Sequence, residues 1–267
     1  MIRPLAIDLF CGLGGWTDGL MAEGYDVIGF DIERHEYGDH RYPAQLVIQD
    51  VLTLHGSQFR NADLIVASPP CQEYSYMAMP WSKAKAKAAD YRSGRRNVKQ
   101  LTALFDVCFR IQREACEAAG RQIPMVVENV KGAQPWVGRS RWNFGSFHLW
   151  GDVPALMPPV VAIKNNGGSW FNIGSPGQKV VGQNPDGRLI HRRDGHDHTR
   201  RPTNPAEHTG IKNGADWFGA GQNCSAQRRA GSKSSARKAA SAMIAKIPLP
   251  LSRHIAATFR PAERVAA

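Results

Sequence analysis

The sequence predicts an α/β fold built on a parallel sheet. Short apolar runs typical of buried strands alternate with helix-like segments through the amino-terminal half of the chain. Each predicted strand is followed by a glycine-rich, acidic or cysteine-containing turn. Because the carboxyl ends of parallel strands meet at one edge of a sheet, these turns are expected to line a single ligand-binding edge.

Five strands and two helices account for most of the apolar pattern in the amino-terminal part of the chain. The predicted strands are Leu5–Phe10, Asp26–Phe30, Ala44–Gln49, Asp63–Ala67 and Pro124–Glu128. A helix over Trp16–Glu23 is expected after the first strand. Apolar residues recur at helical spacing over Asn97–Gly120, which predicts core positions for Cys108 and Cys116.

The composition changes after about Gly151. Residues 152–225 are rich in Gly, Asn, His, Pro and Arg and show little periodicity, so we predict a small, loop-rich second domain there. Residues 1–151 and 226–267 would form the main domain. Its carboxyl-terminal part contains a helix-like stretch, Ser234–Ile247, and an amphipathic helix over Leu251–Phe259.

Positive charge is concentrated in three segments, although the whole chain carries a formal net charge of +11. Residues 83–99 hold seven Lys/Arg and one Asp, residues 188–201 five and two Asp, and residues 227–238 five and no acid. Such clustering is typical of nucleic-acid binding, with solvated loops as the alternative. The first cluster lies in the connection 73–97, whose length predicts a mobile functional loop.

We expect a cytoplasmic monomer that binds no membrane. No run approaches the roughly 18 apolar residues that a membrane span needs, and the amino terminus has no signal-peptide pattern. Five cysteines without a Cys-x-x-Cys pair indicate a reduced protein and no structural zinc. The histidines of the second domain lack ligand spacing, so phosphate contacts are the simpler interpretation; they are His191, His196, His198 and His208.

The loop after the first strand favours a nucleoside cofactor. Cys11-Gly-Leu-Gly-Gly15 places small residues where a strand turns into a helix, so that a ligand can approach the backbone. Asp31 closes the second strand, where it could accept hydrogen bonds from ribose hydroxyls. Asp50 closes the third, where it could accept from an adenine amino group. For each aspartate a helix cap or turn role is the alternative.

A cysteine follows the fourth strand on a stiff turn. Pro69 and Pro70 stop the strand because proline has no amide proton, and Cys71 comes next. A buried structural cysteine is the ordinary alternative. Glu128 ends the fifth strand, where a carboxyl group in a pocket can donate or hold a proton. A thiol and a carboxyl group without a partnered histidine suit covalent attack on an electron-poor ring.

Together these residues resemble the motifs of the cytosine carbon-5 DNA methyltransferases. The matching stretches are Asp-Leu-Phe-Cys-Gly-Leu-Gly-Gly (8–15), Pro-Pro-Cys-Gln-Glu-Tyr-Ser (69–75), Glu-Asn-Val (128–130) and, less closely, Arg-Ser-Arg (139–141). The resemblance covers residues 1 to about 151 and, weakly, about 227 to 259, and it is greatest to short phage and prophage members. It implies a Rossmann-like, S-adenosylmethionine-dependent methyltransferase sheet with residues 152–225 as the target-recognition domain.

The resemblance also implies a role for each matching residue. Those implied to bind S-adenosylmethionine are Phe10, Gly12, Gly14, Asp31 and Asp50. Cys71 would add to carbon 6 of a flipped cytosine, and Glu128 would hydrogen-bond or protonate ring nitrogen 3. Arg141, with Arg139, would orient the base. The implied substrate is double-stranded DNA, over whose backbone the basic loop 76–97 would close.

The chain departs from the family near its carboxyl terminus. The family usually has Gly-Asn-Ser/Ala-Val where this chain has Ile244-Ala-Lys-Ile247. Lys246 would point to solvent or pair with an anion, such as the cofactor carboxylate or a carboxylated S-adenosylmethionine analogue. Three further alternatives are the same chemistry on RNA, methylation of an exocyclic amino group, and DNA binding without catalysis.

Overall fold

The computed structural model describes residues 3–74, 81–157 and 245–262, together with positions 238 and 242. The strands are β1 (Leu5–Leu9), β2 (Asp26–Asp31), β3 (Gln45–Ile48), β4 (Leu64–Ala67), β5 (Met125–Asn129), β6 (Trp142–Phe144) and β7 (Phe147–Gly151). The helices are α1 (Gly15–Ala22), α2 (Trp81–Arg92), α3 (Val98–Ala119), α4 (Gln134–Val137) and α5 (Leu249–Phe259).

The strands form one sheet in the order β3-β2-β1-β4-β5-β7-β6. β1 to β5 run parallel, and β7 pairs antiparallel with both β5 and β6. The chain reverses its direction of travel across the sheet between β1 and β4, and such switch points are where doubly wound sheets bind ligands. The predicted α/β fold and its five parallel strands are therefore confirmed.

One face of the sheet packs on α3. Alternate strand residues point to this face because side chains alternate along a strand. The buried cluster includes Ile7, Leu9, Ile65, Val127, Phe105 and Ile111. Asn97 caps α3 by accepting from Lys99 N at 2.9 Å, and the helix stops at Gly120 as predicted. In the structure this glycine has the left-handed conformation. Cys108 is fully buried in this layer, which confirms its predicted core position.

On the other face α1 packs against α5, so the two ends of the sequence meet. Glycine makes this approach close: a Cβ on Gly19 would lie 2.3 Å from Ser252 Oγ and 2.5 Å from Arg253 N. A Cβ on Gly15 would lie 2.3 Å from Ile247 N. Leu251 is fully buried between the layers.

Two sequence interpretations need correction. The predicted mobile loop 73–97 is wrong in its middle, because α2 occupies Trp81–Arg92, where repeated alanines favour a helix. The β6–β7 hairpin was not predicted, although Gly145-Ser146 between two alternating aromatic segments is a two-residue turn signal.

Other predictions fall outside the described residues. They include most of the loop-rich domain 152–225 with its histidines, most of the helix-like stretch Ser234–Ile247, and the domain boundary near residue 226. The boundary near residue 151 lies within the described residues and stays a prediction. Within the described ranges, no helix is long and apolar enough to cross a membrane.

The α1–α5 contact yields a first prediction. Gly19→Ala should lower the free energy of unfolding by about 1–2 kcal/mol. Crowding against the backbone of α5 costs about 1–3 kcal/mol, whereas the gain in helix propensity is at most about 1 kcal/mol. Urea denaturation measures the change. The control is Met21→Ala, at an exposed position of the same helix, which should change little; equal stability of Gly19→Ala and the parent would contradict the contact.

Candidate active site

The loop after β1 is built from left-handed residues. Phe10, Gly12 and Gly14 have φ values of 57°, 51° and 73°. A positive φ at phenylalanine is strained, by on the order of 1–3 kcal/mol, and such strain clusters at functional sites. A Cβ on Gly12 would meet no atom within 4 Å, so its backbone is open to a ligand, whereas one on Gly14 would lie 2.5 Å from Pro43 Cδ.

Asp31 holds this loop to the end of β2. Its Oδ2 accepts from Gly12 N at 2.9 Å and its Oδ1 accepts from Glu33 N at 3.3 Å. His35 Nε2 lies 3.5 Å from Oδ1. Burial opposes ionisation of this carboxyl group, but the hydrogen bonds from His35 and the amides outweigh it and keep the pKa of Asp31 below its ordinary value. The site therefore contains a fixed carboxylate beside the glycine loop.

Asp50 lies just beyond β3 on the same sheet edge. Its Oδ1 accepts from Leu52 N at 2.9 Å and so caps the short 3-10 helix Val51–Thr53. The alternative role of helix cap is therefore present in the structure. The proposed contact with adenine stays a prediction, since a half-exposed carboxylate retains further lone pairs for a second donor.

The turn that carries Cys71 is fastened before the cysteine. Asn129 Nδ2 donates to Pro69 O at 2.9 Å in a buried hydrogen bond, and Trp16 Nε1 donates to Ser68 Oγ at 3.0 Å. Asn129 belongs to β5 and Trp16 to α1. The residues that precede Cys71 are thus held both by a neighbouring strand, β5, and by α1.

The same turn is fastened after the cysteine. Tyr74 N donates to Cys71 O at 3.0 Å, and the buried Tyr74 hydroxyl donates to Leu101 O at 2.7 Å. Cys71 itself is partly exposed, so the interpretation as a buried structural cysteine is not supported. A partly exposed thiol on a fixed turn is the arrangement that a nucleophile needs.

Glu128 lies one strand away from this turn. β4 and β5 are parallel neighbours in which Ala67 pairs with Val127, so Glu128 and Cys71 both follow at the carboxyl-terminal edge. The Glu128 side chain belongs to a residue that is only 8% exposed. The structure brings the predicted thiol and carboxyl group to adjacent strand ends.

Arg139 and Arg141 flank a serine that the sheet holds in place. Ser140 Oγ lies 2.9 Å from Nδ1 of His148 in β7, and Ser140 N donates to Gln134 Oε1 at 3.2 Å. Burial and the nearby positive charge of Lys131 lower the pKa of His148, so its ring is neutral at pH 7. Both arginines are exposed. No local sequence pattern indicates the roles of Gln134 and His148.

A buried carboxyl group lies under the glycine loop. Thr17 Oγ1 donates to Asp8 Oδ2 at 2.7 Å and also lies 2.7 Å from the Tyr42 hydroxyl. No donor from the described residues reaches Asp8 Oδ1. Burial raises the pKa of Asp8 to about 7, with Asp31 and Asp18 adding to the rise and Thr17 opposing it. Tyr42 fits here because a Cβ at residue 29, a glycine, would lie 2.3 Å from its hydroxyl.

Lys246 lies beside α1. Its Nζ is 2.6 Å from Asp18 Oδ2 in a partly exposed ion pair. Its side chain also packs near Gly15, where an added Cβ would lie 2.9 Å from Lys246 Cγ. The lysine thus has an anionic partner on the protein, which neither sequence interpretation included.

Asp8 yields a prediction about pH. The folded protein keeps the Asp8 proton up to about pH 7, whereas the unfolded chain loses it near pH 4, so folding stability falls as pH rises between these values. Asp8→Asn cannot ionise. Between pH 4 and 7 its free energy of unfolding should rise relative to the parent by up to about 4 kcal/mol. Denaturant curves at several pH values measure this.

The control for that experiment is Asp39→Asn, at an exposed position. Its stability should follow the parent at every pH. Parallel pH curves for Asp8→Asn and the parent would show that Asp8 is ionised throughout, against the expected buried acid.

One known protein family matches the amino-terminal part of the chain. Residues 5–101 match the model of the C-5 cytosine-specific DNA methylases. No curated protein sequence matches the chain significantly.

Solved structures with local similarity include three methyltransferases. A DNA modification methyltransferase from an E. coli prophage is 24% identical over 49% of this chain and 33% of its own, with a TM-score of 0.32. Entamoeba histolytica EhMeth is 20% identical over 51% and 41% (TM-score 0.32), and S. pombe Dnmt2 is 15% identical over 51% and 37% (TM-score 0.30). This chain thus covers less than half of each relative's length.

Proposed function

We propose that this chain, whose residues 5–101 match the C-5 cytosine-specific DNA methylase family, transfers a methyl group from S-adenosylmethionine to carbon 5 of cytosine in double-stranded DNA. The observation that carries the proposal is the pairing of Cys71 and Glu128 on adjacent strand ends. The Asn129–Pro69 hydrogen bond joins those two ends directly.

The glycine-loop edge fits a nucleoside cofactor. The backbone at Gly12 is open to a ligand, because no atom lies within 4 Å of where a Cβ would be. The Asp31 carboxylate can accept hydrogen bonds from ribose hydroxyls. Phe10 and Gly14 shape the loop, and Asp50 would meet the adenine amino group. S-adenosylmethionine, when bound, supplies an electrophilic methyl group on a sulfonium.

Cys71 would act as the nucleophile. Its thiolate forms a bond to carbon 6 of cytosine, and the electron pair of the C5–C6 double bond moves into the ring, making carbon 5 nucleophilic. Carbon 6 lies within the base stack of duplex DNA, so the target base must be flipped out. After carbon 5 has been methylated, a solvent molecule takes the proton from carbon 5 and the Cys71 thiolate departs, which restores the C5–C6 double bond.

Glu128 would neutralise charge on the base, and the two arginines would orient it. As Cys71 adds, negative charge develops on the ring, and a proton held by Glu128 at nitrogen 3 neutralises it. Glu128 is 8% exposed, so water competes little for that contact. Arg141, with Arg139, would orient the base from the segment that Ser140 and His148 fix.

The substrate would be held by its phosphates and read by residues 152–225. α2 carries exposed basic side chains, including Lys83 and Arg92, next to the turn of Cys71. Phosphate contacts of this kind bind DNA and RNA alike, so RNA remains the second candidate. We propose a cytoplasmic monomer, as the sequence predicts.

Lys246 bears on the transferred group. Transfer of a carboxylated group would require Lys246 to meet the cofactor's extra carboxylate, but Asp18 already neutralises this lysine. That pairing favours plain methyl transfer, and binding of a carboxylated analogue would need Lys246 to leave Asp18.

Covalent trapping tests the proposal. Duplex DNA containing 5-fluorocytosine should form a stable adduct with the protein when S-adenosylmethionine is present, because fluorine at carbon 5 blocks the elimination of Cys71. Cys71→Ser should abolish the adduct. Denaturing electrophoresis and peptide mass spectrometry detect it. Matching single-stranded DNA and RNA oligonucleotides form the comparison arms.

The control variant is Cys116→Ser, in which the serine can keep the contact that Ile123 N makes with the sulfur at 3.2 Å. It should form the adduct at the parental rate. An adduct that persists in Cys71→Ser, or one that forms only on RNA, would overturn the assignment to DNA through Cys71.

A further inference from the structure

Glu73 links the turn of Cys71 to α2. It stands two residues after Cys71 and forms an ion pair with Lys87 of α2. The Tyr91 hydroxyl donates to Glu73 Oε2 at 3.3 Å. The ion pair with Lys87, aided by Tyr91, holds the pKa of Glu73 below its ordinary value although partial burial opposes this. The carboxylate therefore stays charged, and the link persists, across the neutral pH range.

The ring of Tyr91 links α2 onward to α4. It packs edge-on against Trp136, with ring centroids 5.5 Å apart at 63°. The Arg96 guanidinium lies 5.7 Å from the centroid of the same ring, a cation–π geometry that favours keeping the ring in place. One side chain thus contacts the turn of Cys71 through its hydroxyl and α4 through its ring.

α4 in turn fixes the arginine segment. Gln134, at its start, accepts from both Ser140 N (3.2 Å) and Ser140 Oγ (3.3 Å). Ser140 lies between Arg139 and Arg141. A continuous set of contacts therefore runs from the turn of Cys71 through Tyr91 and α4 to the two arginines.

We propose that Tyr91 is a positioning residue that couples the turn bearing Cys71 to the segment bearing Arg139 and Arg141. The value of this coupling rests on the proposed function, in which both ends act on one cytosine. The contact between the Tyr91 hydroxyl and Glu73 is expected to add little to the stability of the fold, because Glu73 is more than half exposed and exposed contacts of this kind contribute little. Tyr91 instead determines the position of the Cys71 thiol relative to the two arginines that orient the base.

The test uses the reactivity of Cys71 in the full-length protein without nucleic acid. Iodoacetamide alkylates thiolates, and peptide mass spectrometry gives the rate at each cysteine. Gln134→Ala, which removes the anchor of the arginine segment, should change the Cys71 rate by about threefold to tenfold. In a Tyr91→Leu background the same substitution should leave the Cys71 rate unchanged, because the connection is already broken.

The partly buried Cys116 of α3 is the internal control, and its rate should stay constant in all variants. General loosening would instead raise it together with the Cys71 rate. An unchanged Cys71 rate in Gln134→Ala, or equal changes in both backgrounds, would overturn the coupling.

If Tyr91→Leu does not fold, two more conservative substitutions test the same coupling. Tyr91→Phe removes only the hydroxyl, and Glu73→Gln removes the charge of its acceptor. Each should change the Cys71 rate without lowering the melting temperature. Because Glu73→Gln also weakens the contact with Lys87, the double variant should match Glu73→Gln alone. Additive effects would contradict a shared contact. The control is Tyr37→Phe, whose hydroxyl lies near His35 in a different segment.

The same variants then enter the adduct assay at saturating DNA. Tyr91→Phe should slow adduct formation while leaving DNA affinity unchanged. If the parent forms no adduct, the proposed function fails, whereas the alkylation rates still decide whether Tyr91 couples the two segments.

Discussion

A buried hydrogen bond between two strand ends sets the geometry of the whole site. Asn129 donates through Nδ2 to Pro69 O and accepts through Oδ1 from Val130 N, so both polar atoms of a nearly inaccessible side chain are satisfied. Losing such a bond would leave a buried carbonyl without a donor, at a cost of about 1–3 kcal/mol. The turn of Cys71 therefore keeps a fixed relation to Glu128.

A second contact joins the cofactor side of the site to the nucleophile side. Trp16 is buried in α1, directly after the glycine loop, and its indole donates to Ser68 across the switch point between β1 and β4. A shift of the glycine loop would therefore also shift the turn that carries Cys71. In the proposed reaction this matters because the methyl donor and the nucleophile must approach the same ring within a fraction of an ångström.

Much of this arrangement could be predicted from local sequence. The strand ends were predicted to within about one residue, and Asp31 and Cys71 stand at the sheet edge where the pattern indicated. α2 was missed because a Lys/Ala-rich helix has no strong apolar stripe and resembles a solvated linker.

The contacts that organise the site were not predictable. Three side chains contact partners that are distant in sequence or on another element: Tyr91, His148 and Asp18. No local sequence pattern predicts such pairs. Asn129 was visible in the Glu-Asn-Val stretch, but its bond to Pro69 spans 60 residues and depends on β4 lying beside β5.

Sequencing of bisulfite-treated DNA tests the central claim most directly. DNA from cells that express the protein should contain protected cytosines in one recurring sequence context, and cells that express Cys71→Ser at the same level should show none. Cytosine methylation through Cys71 is contradicted if the parent protein, folded and abundant, protects no cytosine, or if Cys71→Ser protects the same positions.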